Sequence, residues 1–147
     1  RLCLILRGHL PGNEWLSLVA GPGGCRHRGF QALGAGSGPV DIELTAEGRK
    51  ILGDYHGLQS VRYANGPLLG KAKDSRGIEP FVVLAHFRSD MAKNAPGGVM
   101  PNTPAMIAGQ FGAGRVLCFS PHPEYTEPLQ GMIARAVTWA AKRPLAD

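Results

Sequence analysis

A histidine and a glutamate stand two residues apart in the segment Ser120-Pro121-His122-Pro123-Glu124. Each proline disfavours the helical region for the residue before it, so we expect Ser120 and His122 to be extended. Residues two apart on an extended chain point to the same side, which would let the Glu124 carboxylate accept a hydrogen bond from the His122 ring. Such a histidine can act as general base for a nucleophile or as acid for a leaving group. A surface turn with a capping carboxylate is the structural alternative.

The elements on either side would place this pair at the end of a strand. The apolar run 116–119 predicts a buried strand that ends near Ser120. Residues 126–142 predict an amphipathic helix, with Thr126 as its N-cap and Pro128 in its first turn. Its apolar residues recur at three- and four-residue spacing and should pack on a sheet: Leu129, Met132, Ile133, Ala136, Val137 and Ala140.

The middle of the chain alternates short apolar runs with turn signals. Thr45 should cap a helix over 46–52 that ends before Gly53. Residues 40–44 and 61–63 predict strands, and the latter leads into the turn Asn65-Gly66-Pro67. Residues 81–85 predict a strand buried on both faces, and 105–108 with 116–119 predict a hairpin.

The strand, the segment from Ser120 to Glu124 and the helix resemble the C-terminal signature of class I glutamine-amidotransferase-like domains. The order of four segments along the chain narrows the resemblance to the biotin-protein-ligase N-terminal-domain-like subgroup, over roughly residues 38–142. That order is Val61-Arg62-Tyr63-Ala64-Asn65-Gly66-Pro67-Leu68, then 81–85, 105–108 and 114–124.

The resemblance implies an α/β fold with a flavodoxin-like sheet flanked by helices and a Cys-His-Glu triad. The histidine and glutamate carry over to His122 and Glu124. We therefore expect residues 1–147 to be one partial domain whose N-terminal half is truncated, with 1–38 irregular and glycine-rich. The implied function is amide hydrolysis or transfer through a cysteine thioester. The alternative is an inactive binding or structural domain that retains the fold.

Three cysteines compete for the nucleophile position. Cys3 is the candidate, although it lacks the small neighbours and the preceding strand that a nucleophile elbow needs. Cys25 lies in a glycine-rich, basic stretch, and Cys118 belongs to a predicted buried strand. The remaining alternative is a cysteine upstream of Arg1. With Cys3 so poorly supported, we expect little or no glutaminase activity from the chain itself.

Composition restricts the partners. The net charge of +5 is scattered, which argues against nucleic acid, and no apolar run reaches the roughly 18–20 residues that span a bilayer. No Walker-type loop or clustered metal ligands occur, so we expect neither cofactor nor metal. Widely spaced cysteines favour a reducing, cytoplasmic location. We expect a small amide as substrate; the oligomeric state stays open. His86, at a strand end, is a further candidate for the site around His122, with a structural histidine as the alternative.

Overall fold

The computed structural model describes residues 2–6, 37–64, 66, 68–69, 81–91, 98–111 and 114–141, and of 2–6 and 111 it describes the backbone alone. In chain order the elements are β1 (Leu2–Leu6), β2 (Ser37–Leu44), α1 (Ala46–Leu52), β3 (Leu58–Ala64), β4 (Val82–Phe87), β5 (Pro104–Phe111), β6 (Gly114–Phe119), a 3₁₀ turn (Pro123–Tyr125) and α2 (Gly131–Ala140).

The described strands form one curled sheet in the order β1-β6-β5-β4-β2-β3. Every neighbouring pair in it is antiparallel. The predicted flavodoxin-like parallel sheet is therefore wrong. Parallel neighbours need a crossover of a dozen residues or more, whereas β5 and β6 are joined by residues 112–113 alone. Glu43, near the end of β2, pairs with Leu58, the first residue of β3. After α1 the chain therefore re-enters the sheet beside the point where β2 ends.

The opening apolar run is an edge strand. Strand β1 pairs with β6, and Cys3 lies opposite Cys118 in the register. Ser37 and Gly38, which we expected in the irregular segment, open strand β2. Residues 7–36, which hold the rest of the predicted glycine-rich segment, lie outside the described part of the chain.

Helix α1 forms as its sequence predicts. The Thr45 hydroxyl accepts a hydrogen bond from the Gly48 N–H at 3.0 Å and donates to the Val83 carbonyl at 2.8 Å. The cap thus also ties the helix to β4. A Cβ atom on Gly48 would lie 1.9 Å from the Leu84 carbonyl oxygen, so only glycine lets the helix approach the strand this closely.

Helix α2 starts five residues later than the predicted start at 126. Gln130 stands at its N-cap, and Thr126 is used elsewhere. Leu129, Met132, Ala136 and Ala140 are buried in the main core, while Ile133 is only partly buried. Val137 is 39% exposed, so the prediction that it is buried is wrong. The buried stripe runs at four-residue spacing through 132, 136 and 140, and Val137 lies one position beside it.

Arg115 joins the C-terminal end of α2 to the sheet. Its guanidinium lies over the Trp139 ring at 4.8 Å, and its Nη1 donates to the Trp139 carbonyl at 2.8 Å. A cation is favourable beside the carbonyls that end a helix. No helix among the described residues is long and apolar enough to cross a membrane.

Met132 and Val137 give a matched test of this packing because both lie in α2. We expect Met132→Ala to lower the free energy of unfolding by about 2–5 kcal/mol, since it opens a cavity in the main core. Val137→Ala should change it by only about 0.5 kcal/mol or less. Denaturant unfolding of both variants measures the difference. Equal losses would show that α2 is oriented differently.

Candidate functional site

The chain that leaves β6 crosses to the opposite edge strand of the sheet. We call residues 120–126 the crossing segment. At its start, the Ser120 N–H donates to the Ala105 carbonyl of β5 at 2.9 Å. Two residues later, the His122 N–H donates to the Arg62 carbonyl of β3 at 2.7 Å. The crossing segment therefore bridges β5 and β3, which lie apart in the strand order but are brought together by the curl of the sheet.

Thr126 completes the attachment to β3. Its hydroxyl group accepts a hydrogen bond from the Arg62 N–H at 2.9 Å and donates one to the His122 carbonyl at 3.0 Å. The Tyr125 N–H also donates to the His122 carbonyl, at 3.2 Å. Both backbone polar groups of Arg62, on the open edge of β3, are thus used by the crossing segment.

Gly66 fixes the depth at which the crossing segment lies. A Cβ atom there would be 2.3 Å from the Ser120 carbonyl oxygen and 2.6 Å from its Oγ. The Tyr63 hydroxyl donates to the Gly66 carbonyl, and burial, with a smaller contribution from Asp90, raises the pKa of Tyr63. Asn65 and Pro67, which complete the predicted turn, lie outside the described residues.

His122 and Glu124 are hydrogen-bonded. The distance from Nδ1 to Oε1 is 2.8 Å, and the side chains are 14% and 28% exposed. The expected contact is present, but it does not come from a fully extended chain: His122 has a φ of −116° and a ψ of 75°, and Glu124 lies in the 3₁₀ turn. Because an ionised carboxylate can only accept, the proton between them is carried by Nδ1. Nε2 then remains as the basic nitrogen of the neutral ring.

The second carboxylate oxygen of Glu124 makes the pair asymmetric. Oε2 is buried and has no hydrogen-bond partner in the part of the chain that the structure describes. A buried, unpaired oxygen of this kind is costly, whereas Oε1 has its hydrogen bond with His122.

Tyr125 was not among the residues predicted for the site. Its side chain is 73% exposed, and its ring centroid lies 6.1 Å from that of His122. An exposed aromatic ring beside a histidine offers an apolar surface to a bound molecule. Its position directly after Glu124 is the only sequence signal that could have found it.

Two of the three cysteines lie on neighbouring strands of the sheet. The backbone of Cys3 lies in β1 opposite Cys118, inside a strand rather than in a strand-to-helix turn, and its side chain lies outside the described residues. Cys25 also lies outside them. Cys118 is 3% exposed and packs with Ile107, Val116 and Leu69, as expected for a core residue.

The remaining histidines are not brought to His122 by any described contact. His86 lies on β4 opposite Glu43; partial burial and the neighbouring Arg88 lower its pKa, and Glu43 opposes them. His56 forms an exposed pair with Asp54 at 2.9 Å. His9 and His27 lie outside the described residues. Among the residues that are described, no three histidine, cysteine, aspartate or glutamate side chains are grouped as metal ligands would be.

No family model, curated protein or solved structure matches the chain. The functional interpretation therefore depends on the geometry around His122.

The contact of Gly66 with Ser120 predicts the effect of a single methyl group. We expect Gly66→Ala to destabilise the fold by about 1–3 kcal/mol, since the crossing segment must move outward. Gly131→Ala is the control: its Cβ atom would come no closer than 3.4 Å to the Tyr55 hydroxyl, and alanine favours a helix. Thermal unfolding compares them. A Gly66→Ala protein as stable as the Gly131→Ala protein would contradict the close approach.

Proposed function

We propose that this chain carries the base and the orienting carboxylate of a glutamine-amidotransferase-type site, like that of the biotin-protein-ligase N-terminal-domain-like subgroup. Such a site hydrolyses an amide or transfers its nitrogen. The observation that carries the proposal is the 2.8 Å contact between His122 Nδ1 and Glu124 Oε1. It leaves Nε2 as the nitrogen that can accept a proton. No hydrogen bond from a described residue occupies it.

The proposed reaction passes through a thioester. His122 Nε2 takes the proton of a cysteine thiol as the sulfur attacks the amide carbon. The carbon–nitrogen bond then breaks, and the nitrogen leaves as ammonia with the proton from the ring. Water then attacks the thioester. His122 Nε2 takes a proton from this water and returns it to the thiol. Glu124 keeps the tautomer that this cycle requires and stabilises the imidazolium.

Two cysteines are candidates for the thiol in this proposal. Cys118 is excluded as an accessible nucleophile by its burial at 3% exposure. Cys3 and Cys25 remain. The substrate we propose is a small amide, with Tyr125 as one wall of its site. We propose a cytoplasmic location, which would keep the thiol reduced.

An inactive binding or structural domain is the second candidate. The position of Cys3 favours it, because its backbone lies inside β1 and is paired with β6. A nucleophile elbow instead holds its residue on a sharp turn, exposed above the sheet. In this alternative the His122–Glu124 pair would only stabilise the crossing segment, and ammonia would not be released from glutamine.

Thiol alkylation by iodoacetamide near neutral pH separates the two candidates. If His122 takes the proton of a thiol, either Cys3 or Cys25 should be alkylated faster in the native chain than in the unfolded chain. That excess should fall by at least about tenfold in His122→Gln, because the thiolate is no longer favoured. Glu124→Gln should reduce it less. Mass spectrometry of the labelled peptides identifies the cysteine.

Cys118 provides the internal control for this experiment. It should stay unlabelled in the native chain and react once the chain is unfolded. Alkylation rates of Cys3 and Cys25 that do not depend on His122 would refute the enzymatic proposal and leave the binding or structural domain.

A further inference from the structure

We propose that Thr126 is a positioning residue for His122, and this inference extends the proposed function. Its hydroxyl would hold the His122 backbone against β3, so that the ring keeps its Nδ1 on Glu124. The hydroxyl spans the two elements: it accepts from the Arg62 N–H at 2.9 Å and donates to the His122 carbonyl at 3.0 Å.

Both functions of the hydroxyl are needed for this arrangement. The Arg62 N–H faces away from β2, on the open edge of β3, and Thr126 supplies the acceptor for it. The His122 carbonyl receives two donors, the Thr126 hydroxyl and the Tyr125 N–H. A hydroxyl group can donate and accept at once, whereas a methyl group can do neither.

The contacts of Thr126 leave little freedom at His122. Its N–H is bound to the Arg62 carbonyl at 2.7 Å, and its own carbonyl is bound to Thr126. Both peptide units that flank the His122 Cα atom are therefore held, and the ring can reach Glu124 without an additional loss of backbone freedom. Without the hydroxyl, the carbonyl side of His122 would keep only the longer contact with Tyr125.

The test compares Thr126→Val, which keeps the shape and removes the hydroxyl, with Thr126→Ser, which keeps the hydroxyl. Thr138→Val is the matched control, because the Thr138 hydroxyl donates to the Ala134 carbonyl within α2 and contacts neither Arg62 nor His122. The readout is nitrogen NMR of the His122 ring, whose signals are assigned by their loss in His122→Gln. It reports which ring nitrogen carries the proton.

We expect the unchanged chain, Thr126→Ser and Thr138→Val all to show the proton on Nδ1. Thr126→Val should lose that signal and shift toward the form protonated on Nε2. A folded Thr126→Val protein that keeps the Nδ1 proton would overturn the proposal, and so would a Thr126→Ser protein that loses it.

A second variant covers a valine protein that does not fold. Thr126→Ala adds no bulk beside the Arg62 N–H, and the same shift is expected from it. If neither variant folds while Thr126→Ser does, the hydroxyl serves the stability of the chain and the proposal fails. None of these readouts requires turnover. A chain without a His122-dependent cysteine would refute the proposed function and leave the test of Thr126 intact.

Discussion

The attachment of the crossing segment to Arg62 is the constraint on which the site depends. Arg62 uses its N–H for Thr126 and its carbonyl for His122, so the open edge of β3 is occupied where the site forms. Exposed edge strands pair readily with other chains, and a covered edge avoids this. The curl of the antiparallel sheet brings β3 within reach of the chain that leaves β6.

The contacts on either side of the crossing segment follow from this attachment. Ser120 is held to β5 and lies against Gly66, where a larger residue would not fit. Glu124 reaches His122 from a 3₁₀ turn, and the second oxygen of its carboxylate is buried. Leu129 and Met132 follow in the main core and anchor the far end. The His122–Glu124 pair is thus supported by the sheet on one side and by α2 on the other.

Local features of this chain could be predicted from its sequence, because neighbours in the chain determine them. The Thr45 cap needs only Gly48, and the β5–β6 hairpin needs only a short connection. The contact of His122 with Glu124 spans two residues. The Thr126 hydroxyl, in contrast, binds an N–H that is 64 residues away in the chain, and no local pattern reveals such a partner.

The predicted fold class differs most from the structure. A flavodoxin-like sheet followed from the resemblance, but the predicted hairpin already required one antiparallel pair, and the structure extends that arrangement to every described pair. Strand direction depends on pairing between distant segments, which apolar periodicity does not encode. In α2, the apolar spacing covers two adjacent stripes and does not show that Val137 lies outside the buried one.

Hydrogen exchange of single backbone amides in the unchanged chain tests the attachment most directly. The amides of Arg62 and His122 should exchange slowly, because each donates to the other element. The Ser60 amide is the control: it lies two residues before Arg62 on the same edge of β3 and has no partner among the described residues. It should exchange fast. If the amides of Arg62 and His122 exchange as fast as that of Ser60, the crossing segment is not attached to β3 and this account of the site is wrong.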